Sequence, residues 1–240
     1  MKKVGKILCV MLLIVLLAAA GCGLYISDYY RSDGKALSAM ASNDVVSVET
    51  ADGITVISPA LPEAGFIFYP GGKVEYTAYA PLMQSLAREG ILCVLVEMPG
   101  NLAVLDMNAA EGIPERFPEI DRWYIGGHSL GGSIAASYAA EHTEDYEGLI
   151  LLAAYSTADL TDSGLKVLLV RGDQDGVLNL EKYENSLSNL PEDSFEWVVY
   201  GGNHAGFGSY GHQDGDGGAA ISAEEQISQT VQAILDLMRT

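Results

Sequence analysis

Between Trp123 and Ser133 the chain reads Trp-Tyr-Ile-Gly-Gly-His-Ser-Leu-Gly-Gly-Ser, and few folds accommodate that order. A short apolar run breaks on two glycines, Ser129 follows one residue later, and small helix-compatible residues begin after Gly131 and Gly132. A strand that turns at once into a helix on Gly127-His-Ser-Leu-Gly131 forces its central serine into a strained backbone conformation. Glycine on either side removes the Cβ atoms that would strike the neighbouring strand or helix. Such a turn lifts a serine hydroxyl clear of the sheet. At neutral pH that hydroxyl is a weak nucleophile until a base takes its proton and an acid orients the base. The rest of the chain must supply both.

The sequence around the turn predicts a sheet. Val45–Thr50 and Ile54–Ile57 flank Ala51-Asp-Gly53, a hairpin signal. Gly65–Tyr69, Ile91–Val96, Trp123–Ile125, Leu149–Ala153, Lys166–Val170 and Phe195–Tyr200 read as buried strands. Between them, Tyr79, Leu82, Met83 and Leu86 recur at helical spacing over Thr77–Glu89, with Gly90 as the stop. A short helix is expected over Asn101–Asn108 and a loop over Ile113–Pro118. A last helix carries the stripe Ile227, Val231, Ile234, Leu235 and Met238 behind a capping box, Ser222-Ala-Glu-Glu225. Strands alternating with amphipathic helices mean an α/β domain over residues 45–240: a mostly parallel sheet covered on both faces, with an antiparallel N-terminal hairpin. The Ala154–Leu165 gap, where a lid is often inserted, is too short for a cap domain.

Before the domain, Lys2, Lys3 and Lys6 precede an uncharged run from Ile7 to Ile26, the length of one membrane span. The basic flank predicts a cytoplasmic N-terminus and an extracytoplasmic domain. Three processing routes fit residues 1–26. An uncleaved anchor suits the length and the interfacial Tyr25, Tyr29 and Tyr30. A lipoprotein would be modified at Cys22, although alanine stands at Ala19 where a lipobox usually has Leu or Val, and a secreted form would be cleaved near Ala18-Ala-Ala20. The anchor fits best and places the protein in the cell membrane, with residues 27–44 as a juxtamembrane linker.

Net charge is −19; with the three N-terminal lysines set aside, 10 basic residues face 32 acidic ones, a balance of −22. That surface repels phosphate backbones and excludes nucleic acid as a partner. Cys9, Cys22 and Cys93 form no disulfide framework, and Cys93 reads as a small buried hydrophobe. Asp214-Gly-Asp216 lacks the closing glutamate of a calcium loop and reads as an ordered turn, so no metal and no cofactor is expected. Tyr76, Tyr79 and Tyr210 fit a pocket lining or ordinary packing equally well.

Groups that serve a nucleophile on a sheet come from loops at the strands' carboxyl ends. Lys166–Val170 is followed by Arg171-Gly-Asp-Gln-Asp-Gly-Val177, which offers Asp173 or Asp175, and Phe195–Tyr200 by Gly201-Gly-Asn-His-Ala-Gly-Phe207, which offers His204. The resulting order is Ser, Asp, His. Of the other histidines, His142 ends a helix, His212 lies in a polar loop and His128 fills a variable position of the turn.

Together Gly127–Gly131, Gly172-Asp-Gln-Asp-Gly-Val177 and Gly202-Asn-His204 resemble the α/β-hydrolase fold superfamily over roughly residues 45–240. The resemblance favours Asp175 as the acid, since Gly172 and Val177 stand in matching places. Tyr69-Pro-Gly-Gly-Lys-Val74 and the two glycine-rich loops are similar to a bacterial "fold-5" subgroup, lidless like the dienelactone hydrolases. Those use a cysteine nucleophile where this chain has Ser129, so their substrate does not carry over. An oxyanion hole needs two backbone N–H groups. Leu130 is expected to supply one and, by the resemblance, Gly72 the other, with Lys73 as the alternative.

The function so implied is a membrane-tethered serine hydrolase acting on a small-molecule carboxylic ester through an acyl-enzyme. An acyltransferase with the same residues, or a surface binding protein on a hydrolase fold, are the alternatives.

Overall fold

The computed structural model describes Lys2–Thr240; the side chains at positions 2–5, 8, 9 and 19, Lys2, Lys3 and Cys9 among them, lie outside the described residues. Lys2–Ser27 forms one helix, α1, long and apolar enough to cross a membrane. Its large side chains from Val10 to Leu17, and Leu24, are exposed. Length and apolarity of this kind belong to a membrane anchor and to a signal sequence alike.

Residues 28–44 carry a short helix, α2 (Gly34–Ala39), whose N–H groups at Lys35 and Ala36 are capped by the Asp33 carboxylate. This stretch is fastened to the domain. Ser32 N–H donates to the Glu75 carboxylate (2.8 Å), Asp33 N–H to the Ser209 carbonyl (2.8 Å) and Gln84 Nε2 to the Ala39 carbonyl (3.2 Å).

The sheet has eight strands: β1 (Val46–Ala51), β2 (Ile54–Pro59), β3 (Ala64–Tyr69), β4 (Ile91–Val96), β5 (Trp123–His128), β6 (Gly148–Leu152), β7 (Lys166–Gly172) and β8 (Phe195–Val199). Their spatial order is β1-β2-β4-β3-β5-β6-β7-β8. The hairpin β1–β2 turns on Asp52 and Gly53, both at positive φ, and β2 meets β4 antiparallel; every later pairing is parallel. In β3, Phe66 and Phe68 enter one core while Ile67 and Tyr69 enter the other, as a strand buried on both faces requires. The first core is closed by α2, α3 (Ala80–Arg88) and α6 (Ala223–Arg239); the second by α4 (Leu130–Glu141), α5 (Leu180–Ser186) and residues 98–120. Cys93 is buried and unpaired in the first.

Three local expectations change. The helix expected from Thr77 begins at Ala80, after a 3₁₀ turn over Tyr76–Tyr79. Pro81 has no N–H to give, so it takes a place in the first α-turn and the residues before it wind more tightly. The helix expected at Asn101–Asn108 is two separate 3₁₀ turns, Pro99–Asn101 and Ala103–Leu105. Gly100 (φ 58°) and Asn101 (φ 55°) are left-handed, which no α-helix continues through. Only half of the capping box at α6 forms: Ser222 Oγ accepts from Glu225 N–H (3.2 Å), while the Glu225 carboxylate turns to Gln229.

Candidate active site

The turn after β5 is built as its glycines dictate. Ser129 sits at φ 52°, ψ −125°, between β5 and α4. A Cβ at Gly127 would fall on the Tyr69 carbonyl oxygen, and one at Gly131 on the carbonyl oxygens of Tyr69 and Pro70, so both positions admit glycine alone. β5 runs on to His128, three residues past the expected strand, because it pairs with β6 up to Leu152. Ser129 N–H then donates to the Leu152 carbonyl (2.9 Å), which pins the turn to the sheet.

Beyond β7, Asp175 Oδ2 lies 2.8 Å from His204 Nδ1, and both side chains are 1% exposed. Burial alone would raise the Asp175 carboxyl. The His204 hydrogen bond and charge, with N–H donors from Val177 and Leu178 (2.8 Å each), outweigh it and hold the carboxyl below its usual range. Asp173 points elsewhere and accepts the Gly201 N–H at 2.6 Å. Of the two acids in the loop, only Asp175 meets the histidine.

With Nδ1 facing Asp175, the other ring nitrogen of His204 is buried without a hydrogen-bond partner. His204 and Ser129 line one cavity of about 310 Å³, together with Leu130, Ala154, Val177 and Leu178. No hydrogen bond joins Ser129 to His204 in this structure. Serine–histidine contacts of this kind often tighten only when substrate is bound. A larger cavity, about 750 Å³, lies behind the His204 loop between α2, α3 and α6 and does not reach Ser129.

The loop after β3 approaches from the other side. Gly72 lies against Leu130, whose Cδ2 would stand 3.0 Å from a Cβ at Gly72. Its neighbours are engaged: Gly71 N–H donates to Tyr79 Oη (3.1 Å) and Lys73 N–H to the Asn101 carbonyl (2.8 Å). Gly72 N–H donates to no described residue, and Leu130 N–H heads α4, where the first turn of a helix leaves its donors free.

Two residues that sequence reasoning passed over belong to this assembly. His128, taken for a variable position, is fully buried. Its Nδ1 is hydrogen-bonded to Tyr79 Oη at 2.8 Å, the same oxygen that accepts from Gly71 N–H, while its Nε2 has no partner. Burial, then the nearness of His204, pushes His128 well below the ordinary histidine range. The second is Asp216. Its carboxylate accepts N–H groups from Gly176, His204, Ala205 and Gly217, at 3.1, 3.2, 2.8 and 2.8 Å, and so ties the Asp175 loop to the His204 loop. Neither left a signal beyond residue type. Tyr79 and Tyr210 are buried in the first core and Tyr76 packs on it; none of the three lines the Ser129 cavity. Among the described residues no cluster of His, Cys, Asp and Glu is placed to hold a metal ion.

Residues 65–228 match the alpha/beta hydrolase family. The chain belongs to that family. Solved structures similar to this alpha/beta hydrolase include TT1662 from Thermus thermophilus (14% identity, TM-score 0.62, covering 81% of this chain and 99% of the other). A predicted CIB-like hydrolase from Thermoplasma acidophilum (16%, 0.60, 80% and 99%) and Est1E from Butyrivibrio proteoclasticus (15%, 0.57, 82% and 100%) are similar as well. At such identities the likeness is one of fold. No curated protein sequence matches the chain. The mostly parallel sheet, its antiparallel start and the helices on both faces agree with the expected architecture, and among the described residues no large lid domain is present.

Proposed function

We propose that this alpha/beta hydrolase is a membrane-tethered serine hydrolase that cleaves carboxylic esters through an acyl-enzyme. The observation that carries the reading is the buried Asp175–His204 pair, whose second imidazole nitrogen has no partner and whose histidine lines the same cavity as a serine at positive φ. In this reading Ser129 Oγ attacks the ester carbonyl and His204 Nε2 takes its proton. Asp175, held ionised, keeps the imidazole proton on Nδ1 and stabilises the cation that forms. The N–H groups of Leu130 and Gly72 bind the developing oxyanion. Gly72 is favoured over Lys73 because the Lys73 N–H already serves Asn101. The alcohol leaves with the proton from His204, and water, activated by the same nitrogen, releases the acid.

Helix α1 is read as an uncleaved anchor with the domain on the extracytoplasmic side, on the strength of its length, its exposed apolar surface and the lysines at its N-terminal end. The name of Est1E, a structural neighbour, agrees with ester chemistry. Labelling with a fluorophosphonate tests the reading: the wild-type protein takes the label at Ser129, and Ser129→Ala loses both label and esterase activity. A folded Ser129→Ala protein that still cleaves nitrophenyl esters would overturn it.

A further inference from the structure

The end of α1 is seated on the two loops, after β3 and after β4, that stand beside Leu130 at the carboxyl end of the sheet. Ile26 packs on Gly100, with its Cγ2 2.9 Å from where a Cβ at Gly100 would stand. Lys73 Nζ lies 4.6 Å from the centre of the Tyr25 ring and 2.8 Å from Asp28 Oδ2. Tyr30 N–H donates to the Lys73 carbonyl (2.7 Å), Glu75 N–H returns a bond to the Tyr30 carbonyl (2.9 Å), and Tyr30 forms a parallel bridge with Val74. The backbone and charge contacts that receive the chain at the end of the helix come from the loop Gly71–Glu75. That loop also presents Gly72 to Leu130, one residue from Lys73. No slack separates the apolar helix from the domain: Asp28 and Tyr30, the first and third residues after it, are both held by the loop, so the domain has no free tether on which to swing.

The same end of the sheet carries apolar side chains in water. Val104, Leu105 and Met107 follow Gly100 in the segment after β4, and on the far flank Val177 stands in the loop after β7 and Leu180 at the start of α5. Exposed apolar residues also occur elsewhere, at Leu61 and Phe195, so the rim alone decides nothing. The arrival of α1 there does. A helix that leaves the bilayer at the edge of the cavity holds that edge at the headgroup level, where apolar side chains beside it find lipid.

We infer that the cavity mouth faces the membrane surface and that the ester is taken from the bilayer. The substrate class is an amphiphile whose acyl chain enters between Leu130, Ala154 and Leu178 and whose headgroup is uncharged or zwitterionic. The balance of −22 beyond the N-terminal lysines disfavours anionic headgroups. The inference rests on the readings of α1 as an anchor and Ser129 as the nucleophile. The reaction is the one already written: the Ser129 Oγ–acyl bond forms as the lipid's ester C–O bond breaks, the alcohol portion takes the proton from His204, and water then releases the carboxylic acid.

The test uses the full chain in phosphatidylcholine vesicles with two substrates, the water-soluble nitrophenyl acetate and methylumbelliferyl oleate dissolved in the bilayer. One variant carries a flexible Gly/Ser insert of about 12 residues between Ser27 and Asp28, which keeps the tether and releases the rim. The expected result is a loss of about fivefold or more in turnover of the oleate ester, with acetate hydrolysis unchanged. Unchanged turnover of both esters overturns the inference. Should the insert depress both alike, Leu105→Glu decides. It lies outside the cavity and the tether, and a fall of about threefold or more on the oleate ester alone supports the inference, whereas no change overturns it. Wild-type protein that fails to float with the vesicles overturns the anchor reading; protein that floats and cleaves neither ester overturns the hydrolase reading. Either result removes the inference with it.

Discussion

The imidazoles of His128 and His204 lie 4.5 Å apart, centre to centre, tilted by 51° and both buried. A proton on His128 would sit unsolvated beside the ring proposed to become cationic during catalysis. Burial and that neighbour keep His128 neutral in the folded protein, well below 6.5. The unfolded chain has no such restraint and binds a proton as the pH falls past about 6.5. The stability this group contributes is therefore complete above that pH and is lost on going down toward the folded value. His128→Gln, which cannot titrate, is expected to escape the loss. The difference in unfolding free energy between wild type and variant should be largest near pH 8 and shrink by about 1.4 kcal/mol for each unit below 6.5. Urea denaturation at stepped pH checks it, and parallel pH curves would refute it.

The two acids of the β7 loop separate by role. Asp175 meets His204, whereas Asp173 meets only the Gly201 N–H. Asp175→Asn keeps the shape and loses the charge that orients the imidazole, and kcat on nitrophenyl acetate should fall about 10³–10⁴-fold. Asp173→Asn should leave kcat near the wild-type value. Comparable losses in both variants would mean that the loop acts as a whole and that neither acid is special.

What could be read from the chain beforehand was whatever had a period or a spacing. The strands announced themselves because both of their faces are buried, so Phe66–Tyr69 and Ile91–Val96 are unbroken apolar runs. Ser129, Asp175 and His204 stood out through glycine-framed loops placed after strands. The structure brings Asp175 to His204 and sets Ser129 on the same cavity. What resisted reading depends on contacts between distant segments. His128 looked interchangeable because nothing local reveals that Tyr79, 49 residues earlier, will reach it. Asp216 looked like a turn residue in a polar loop; its four N–H partners come from three separate stretches. Asn101–Asn108 misled in the other direction, since Gly100 and Asn101 adopt left-handed backbone that residue type alone does not impose.

Asp216 yields a prediction of its own. Its carboxylate holds the backbone of the acid loop at Gly176 and of the base loop at His204 and Ala205. Asp216→Ala leaves those donors to water and frees the two loops to drift apart. We expect about 1–3 kcal/mol of lost stability in this partly buried site and a fall in kcat of about 10–100-fold. KM for a small ester should change far less than kcat, because the cavity walls at Leu130 and Ala154 belong to other segments. A kcat that stays constant while stability drops would confine Asp216 to the fold.

Ser129 itself holds strain that the fold does not need. Its φ of 52° with ψ of −125° is a region that side-chain-bearing residues avoid and glycine enters freely. The surrounding glycines and the bond from Ser129 N–H to Leu152 impose that conformation, so it persists whatever occupies position 129. Ser129→Gly should then relieve about 2 kcal/mol of strain, less about 1 kcal/mol for the extra entropy of a glycine in the unfolded chain, a net gain of about 1 kcal/mol. Ser129→Ala keeps the strain and serves as the reference, since both variants lack the hydroxyl. In a domain of this size the glycine variant should melt about 2–4 °C above the alanine variant, read by calorimetry at one pH. A lower melting temperature for the glycine variant would show that the turn is not strained at the serine, and the case for a position shaped for nucleophilic attack would weaken accordingly.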